Sequence, residues 1–216
     1  FVGTLTNVVL TLLMAYPLSR RDMPGRNFVS FYIFFTMLFN GGLIPTYMMY
    51  CQLHIKDTIF ALIVPSLLLN AYYVIMMRTY FTSNLPNEII EAAKVDGATE
   101  LGILIKIVVP LSKPIIGTVS LLVGIGYWND WMNGLYYLVK RTDLFSIQNL
   151  LNRMITSAEF LNNPANQSMF QEAGQKIPSV GIRMAIAVIA LIPILVIYPF
   201  FQNSFVKGIT IGGVKG

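Results

Sequence analysis

The residues with chemistry to offer are few. Cys51 is the single cysteine and His54 the single histidine. One thiol cannot close an internal disulfide or build a cysteine-based metal site. A lone histidine at an apolar boundary is ordinarily a packed or interfacial side chain. The charged residues collect in one stretch, "PNEIIEAAKVDGATELGILIKIVVPLSKP", which runs from Pro86 to Pro114 and holds Glu88, Glu91, Lys94, Asp96, Glu100, Lys106 and Lys113. Glu88 and Glu91 have no His, Cys or glycine-rich phosphate cradle beside them, so neither metal nor phosphate chemistry is indicated. Asp130 is the one carboxylate near the middle of an apolar segment, where exposure to lipid would be costly; it must face a bundle interior, a cavity or the outer interface. An integral membrane enzyme would need a buried set of acids, bases or metal ligands, and these residues do not supply one.

The surroundings of that stretch are built for lipid. The 216 residues are 55% hydrophobic and 12% charged, with a mean hydropathy of +0.64. Soluble domains carry about 25% charged residues. Five runs approach the roughly 20 apolar residues a membrane helix needs: Phe1 to Leu18, Phe28 to Tyr50, Thr58 to Met77, Ile115 to about Leu135, and Val180 to Phe201. Each is continuous rather than alternating, so an all-α integral membrane bundle is expected, with 1–216 as one transmembrane domain. Pro45, Pro65 and Pro193 predict kinks inside three runs. "NGG" at Asn40 to Gly42 reads either as close helix packing or as a flexible point lining a path.

Basic residues alternate from loop to loop. Arg20, Arg21 and Arg26 sit in one short loop, Lys56 alone in the next, then Lys94, Lys106 and Lys113 in the charged insert. By the positive-inside rule the insert, 82–113, is cytoplasmic and the segment 136–179 extracytoplasmic. The net charge of +5 reflects this topology rather than nucleic acid, for which no basic surface with interleaved aromatics is present. The chain starts at Phe1, and five spans leave that end outside; one further helix before Phe1 is expected. In 136–179, "FSIQNLLNRMITS" reads as an amphipathic helix and "NNPANQ" as a turn.

Within the insert, Pro86 suits a helix start, Glu88 and Glu91 favour its positive end, Ala92 and Ala93 are strong helix formers, and Gly97 suits a stop. The spacing predicts a helix of about ten residues, with Ile89, Ala92, Ala93 and Asp96 on one face. A helix this short must pack on something. A second helix is expected from Thr99 to about Val108, ending before Pro110, and Pro114 fits the first turn of the next span. Spacing alone fits two arrangements: a rigid element transmitting force from a soluble partner, or an amphipathic helix on the inner leaflet.

The stretch resembles the EAA loop of permease subunits of ATP-binding-cassette importers: Glu-Ala-Ala, three residues, Gly, nine residues, Ile, one residue, Leu, Pro. Glu91, Ala92, Ala93, Gly97, Ile107 and Pro110 match, while Val109 stands where Leu is usual. "NVVLTLLMAYPLSR", "GYWNDWMNGLYYL" and "FVKGITIGGVKG" resemble carbohydrate permeases of the maltose-permease type, in the LplC/YtcP-like branch of the binding-protein-dependent transport family, which is associated with complex and uronic-acid-containing oligosaccharides.

The resemblance implies a type I importer permease bundle in a bacterial cytoplasmic membrane, crossing it several times. Its implied partners are a second permease, an ATPase dimer that binds ATP and Mg, an extracytoplasmic solute-binding protein, the oligosaccharide and membrane lipid. The chain itself would carry no cofactor and no catalytic residue; it has no G-x-x-x-x-G-K-[ST] stretch. Docking to the ATPase is implied for Glu91, Ala92, Ala93, Asp96, Gly97 and Ala98. A sugar path needs hydroxyl-pairing groups and aromatic faces, for which Asn40, Tyr47, Asn70, Tyr72, Tyr73, Tyr127, Trp128, Asn129, Asp130, Trp131 and Asn133 are candidates, Asn70 and 127–130 foremost. The same residue types also serve as interface belts and helix-to-helix bonds. Arg78, Arg153 and Arg183 could meet an acidic substrate or serve only as interface charges. A permease for peptides or amino acids, and a membrane anchor without transport, are the competing readings.

Overall fold

A computed structural model describes residues 1–65, 67–162, 181, 184–185, 187–196 and 199. Helices account for the regular structure among them, with no strand. The order is α1 (Val2–Ser19), α2 (Arg26–Leu38), α3 (Leu43–Gln52), α4 (Phe60–Ile63), α5 (Ala71–Asn84), α6 (Asn87–Val95), α7 (Glu100–Ile103), a π-helical turn at Leu104–Val108, α8 (Val109–Leu111), α9 (Lys113–Asn129), α10 (Met132–Tyr137), a 3-10 turn at Thr142–Leu144, α11 (Ile147–Asn162) and α12 (Ala187–Val196). The chain divides into two compact units. One contains Phe1–Ile44 and Ser66–Tyr127; the other contains Pro45–Pro65 and the described part of Trp128–Tyr198.

The first unit is organised by α1. Its 18 residues rise about 27 Å, close to the hydrocarbon thickness of a bilayer. Gly3, Asn7, Val8, Thr11, Ala15 and Leu18 form its buried stripe, at the three- and four-residue spacing of one helix face. That stripe packs on α5, whose own inward residues are Val74, Met77 and Phe81. The core extends through Ile90, Ile103, Leu104, Val108, Ile115 and Val119. The Asn7 amide lies in this contact and donates to the Leu67 carbonyl, which satisfies a buried polar group. Many large apolar side chains face outward instead, including Leu5, Val9 and Leu13 on α1 and Phe28, Phe31 and Phe35 on α2, a surface suited to lipid.

The apolar runs are more broken than the hydropathy suggests. Alone, only α1 among the described helices is long and apolar enough to cross a membrane; counting α2 with α3, and Glu100–Leu111 with Lys113–Asn129, as bent spans raises the number to three. The run 28–50 divides at 39–42, where Asn40 Oδ1 accepts the Gly42 N–H and Gly42 takes φ +85°. Pro45 therefore falls in the first turn of α3, where its missing N–H costs nothing. The run 58–77 contains only the four-residue α4 before Pro65; a new helix, α5, starts after Asn70 and continues to Asn84. The run 115–135 breaks at Asp130 and Trp131. The run 180–201 is described at 181, 184–185, 187–196 (α12) and 199, and "NNPANQ" lies outside the described residues from Asn163 onward.

In the insert, the helix after Thr99 continues through Pro110 to Leu111 instead of ending before it. The π turn explains this. The Val109 N–H bonds the Leu104 carbonyl, five residues back, so the chain already departs from the four-residue ladder in which a proline ring clashes. Helix direction then changes by 84° at Ser112, before α9 begins.

Candidate functional site

The insert folds as its local signals require. α6 is nine residues long, with Pro86 as its N-cap and Glu88 in its first turn. At the other end, the Gly97 N–H donates to the Lys94 carbonyl (3.0 Å) and the Ala98 N–H to the Ala93 carbonyl (2.9 Å). Gly97 is in the left-handed region at φ +80°. These two bonds and that conformation make a Schellman closure, and they explain the glycine.

α6 is anchored on one side and bare on the other. Ile90, 4% exposed, enters the core, and Ala93 packs against it. Glu91, Ala92, Asp96, Gly97 and Ala98 are exposed. The face expected from spacing is corrected in one respect: Ala93 turns inward with Ile90, while Ile89, Ala92 and Asp96 stay outside. Nine residues make fewer than three turns, so a choice between adjacent isoleucines is a rotation of about 100° that only the tertiary partner fixes.

Charged contacts tie this helix to the end of α1. Lys94 Nζ bridges Asp22 Oδ2 (2.7 Å) and Glu100 Oε1 (2.6 Å). The Tyr16 hydroxyl donates to Glu100 Oε2 at 2.7 Å, and Arg20 Nε lies 3.3 Å from Asp22 Oδ1. The hydrogen bond from Lys94 lowers Asp22 to about 2. Lys94 also lowers Glu100, with the Tyr16 bond as the next cause, and is itself raised by both carboxylates, Asp22 first. Thr99 caps α7 by accepting from the Gly102 N–H. α6 is thus fixed near the end of the membrane-length helix α1 by one buried isoleucine, one lysine bridge and one glycine closure, which leaves its outward face bare.

The other candidates divide between the two units. In the first, Asn40 is exposed and spends its carbonyl on the Gly42 turn. Asn70 caps α5 through the Tyr72 N–H at 2.9 Å. Tyr73 and Tyr127 both pack on the unit's core, and Tyr127 lies over Gly3 so closely that a Cβ there would stand 2.5 Å from its Cζ. In the second, the Tyr47 hydroxyl accepts from Lys56 Nζ and its ring stacks on Tyr137 at 5.9 Å. Trp128 Nε1 donates to the Ala190 carbonyl (2.9 Å), Asn129 accepts from Gln148 Nε2 (3.3 Å), and Asp130 Oδ1 accepts the Asn133 N–H (3.2 Å). Asn133 Nδ2 donates to the Pro65 carbonyl at 2.9 Å, and the Trp131 carbonyl accepts from Asn149 Nδ2 at 2.8 Å. Arg153 bonds Asn149 Oδ1 and lies over Phe145; Arg183 lies outside the described residues.

α6 thus combines an exposed face with a charged tie to the end of the membrane-length helix α1. The pattern of the family described as "binding-protein-dependent transport system inner membrane component" matches residues 7–211. The chain belongs to this family. It is 40% identical over 215 residues to the polygalacturonan/rhamnogalacturonan transport system permease protein YtcP of Bacillus subtilis (strain 168), covering 100% of this chain and 73% of the relative. It is also 40% identical to Protein LplC of the same organism, covering 100% of this chain and 70% of the relative. A solved bacterial ABC transporter involved in the import of the acidic polysaccharide alginate contains a chain similar in fold, with a TM-score of 0.73 and 31% identity, covering 95% of this chain and 74% of that one.

Within this family member, sequence reasoning missed three kinds of residue. Val95, 87% exposed, adds apolar surface to the bare face of α6 beside Ala92 and Asp96; a valine at a helix end gave no charge or spacing signal. Lys94 and Asp22 are distant in sequence, and nothing short of the fold pairs them. Asn149, fully buried, fastens α11 to Trp131 and was hidden in an amphipathic pattern.

Proposed function

We propose that this inner membrane component is the permease subunit of an ATP-driven importer that passes a sugar or oligosaccharide, including uronic-acid-containing ones, delivered by a solute-binding protein. The observation that carries the reading is α6: a short helix with a bare Glu91–Ala92–Val95–Asp96 surface, closed by Gly97 and tied through Lys94 to the end of α1. A partner ATPase docks there, with Glu91 as polar anchor and Ala92, Gly97 and Ala98 permitting close approach. ATP and Mg belong to that partner, and this chain performs no catalysis. A second permease completes the path.

The remaining topology belongs to the same proposal. The chain crosses a bacterial cytoplasmic membrane through five segments, some of them broken helices, with 82–113 cytoplasmic and 136–179 extracytoplasmic. Asn40, Tyr47, Asn70, Tyr73, Tyr127 and the Trp128–Asp130 stretch are the path candidates. The relatives' names and the alginate importer support an acidic polymer or oligomer over peptides or amino acids.

The test is reconstitution of the chain with its partner permease, ATPase and binding protein, followed by ATP turnover with neutral and acidic oligosaccharides. Turnover stimulated by an acidic oligosaccharide is expected. Stimulation by peptides or amino acids instead, in an assembled complex, would overturn the substrate class.

A further inference from the structure

Arg26 and Arg78 converge on one atom. Arg26 Nε donates to the Leu18 carbonyl at 2.9 Å, and Arg78 Nε donates to the same oxygen at 3.1 Å. They come from the first turn of α2 and from α5, and meet at the last turn of α1. Among the described residues, no carboxylate forms an ion pair with either. Two guanidinium groups sharing one carbonyl repel each other, and the cost is highest where water is partly excluded; both side chains are half-buried. Burial, then the charge of Arg26, lowers Arg78. A single carbonyl lone pair each leaves the outer nitrogens of both forks for a further acceptor.

From this convergence we infer that Arg26 and Arg78 hold the phosphate of an anionic phospholipid of the inner leaflet. Phosphate matches the paired geometry of guanidinium forks, and one anion between two cations removes their repulsion. The site stands where a membrane-length helix ends, which is headgroup depth. Asp22, the nearest acidic residue in the loop, is occupied by Lys94 and Arg20 and leaves the pair unneutralised. The inference rests on the proposed topology, which puts the arginine-bearing loop after α1 on the same cytoplasmic side as 82–113.

The test uses the assembled transporter in nanodiscs of phosphatidylcholine with added phosphatidylglycerol, and counts retained phosphatidylglycerol by native mass spectrometry. Native protein retains it, Arg26→Gln and Arg78→Gln each lower occupancy roughly fivefold, and Arg21→Gln, an exposed neighbour, leaves it unchanged. Arg78→Lys, which keeps charge without the fork, falls between native and glutamine variants. Sugar-stimulated ATP turnover is measured on the same samples, so a failed transport reading is seen separately from a failed lipid site. Equal occupancy in native and Arg26→Gln/Arg78→Gln protein overturns the inference, as does an equal loss with Arg21→Gln. Binding of inorganic phosphate without phosphatidylglycerol assigns the pair to a soluble anion and overturns the lipid source. Loss of the ATPase subunit with lipid unchanged assigns it to protein docking and does the same.

Discussion

Replacing Gly97 with alanine isolates the closure of α6 from everything else the residue could do. Gly97 sits at φ +80°, and a Cβ placed there meets nothing within 4 Å. The penalty is therefore backbone strain alone, about 1–2 kcal/mol for an L-residue in the left-handed region. α6 has only nine residues and is marginal without tertiary support, so that strain acts on the helix end directly. It corresponds to a five- to thirtyfold rise in the open population, approximately, of the bonds from Gly97 to Lys94 and from Ala98 to Ala93. Hydrogen exchange at the amides of residues 97 and 98 should accelerate by that factor in Gly97→Ala, with sugar-stimulated ATP turnover falling alongside. Gly97→Asn, which tolerates this conformation, should lose much less despite its larger side chain. Native exchange and native stimulation in a correctly assembled Gly97→Ala complex would refute the argument that the closure positions the docking face.

Other expectations follow from the same structure. Lys94→Met removes both surface ion pairs and should destabilise by roughly 1 kcal/mol, seen as faster exchange in α6 with little change in α9. The tie should be insensitive to pH over the neutral range. Asp22, lowered to about 2, contributes stability above its ordinary value of 3.8 that is lost as pH falls through about 2; the raised Lys94 contributes below 10.5 and loses it as pH rises through its folded value, so protection of α6 amides, exchange divided by its pH-dependent intrinsic rate, should stay flat between. Asn133→Leu strands the buried Pro65 carbonyl and should cost about 1–3 kcal/mol in thermal unfolding, whereas Asn129→Ala, at an exposed site, should stay within about 0.5 kcal/mol and alter uptake if the path reading holds. Gly3→Ala should cost about 1–3 kcal/mol through collision with the Tyr127 ring, and Tyr127→Leu should recover part of it.

The insert was legible because its signals are local. Pro86, Glu88, the Ala92–Ala93 pair and Gly97 each act within one or two turns, and α6 forms where they place it. Its inward face was not, because Ile89 and Ile90 are chemically equal and the choice depends on the core beneath them. Hydropathy located the apolar runs but not their breaks: the Asn40 turn and the Asn70 cap are hydrogen bonds, invisible to a sum over side chains. Pro110 misled for a related reason, since its usual conflict assumes the α ladder that the π turn replaces. Path candidates chosen by residue type were mixed with structural residues. Asn133 is spent on a backbone carbonyl and Asn70 on a helix cap, while Asn129 remains exposed.

The central claim is that the bare face of α6 meets an ATPase. Cysteine cross-linking tests it most directly: in an assembled complex carrying Cys51→Ser, Ala92→Cys or Val95→Cys is paired with cysteines across the ATPase surface, with Lys140→Cys in the proposed extracytoplasmic segment as control. The account predicts covalent adducts from positions 92 and 95 whose yield changes with ATP, and none from position 140. Intact complexes giving no ATPase adduct from either α6 position would contradict it.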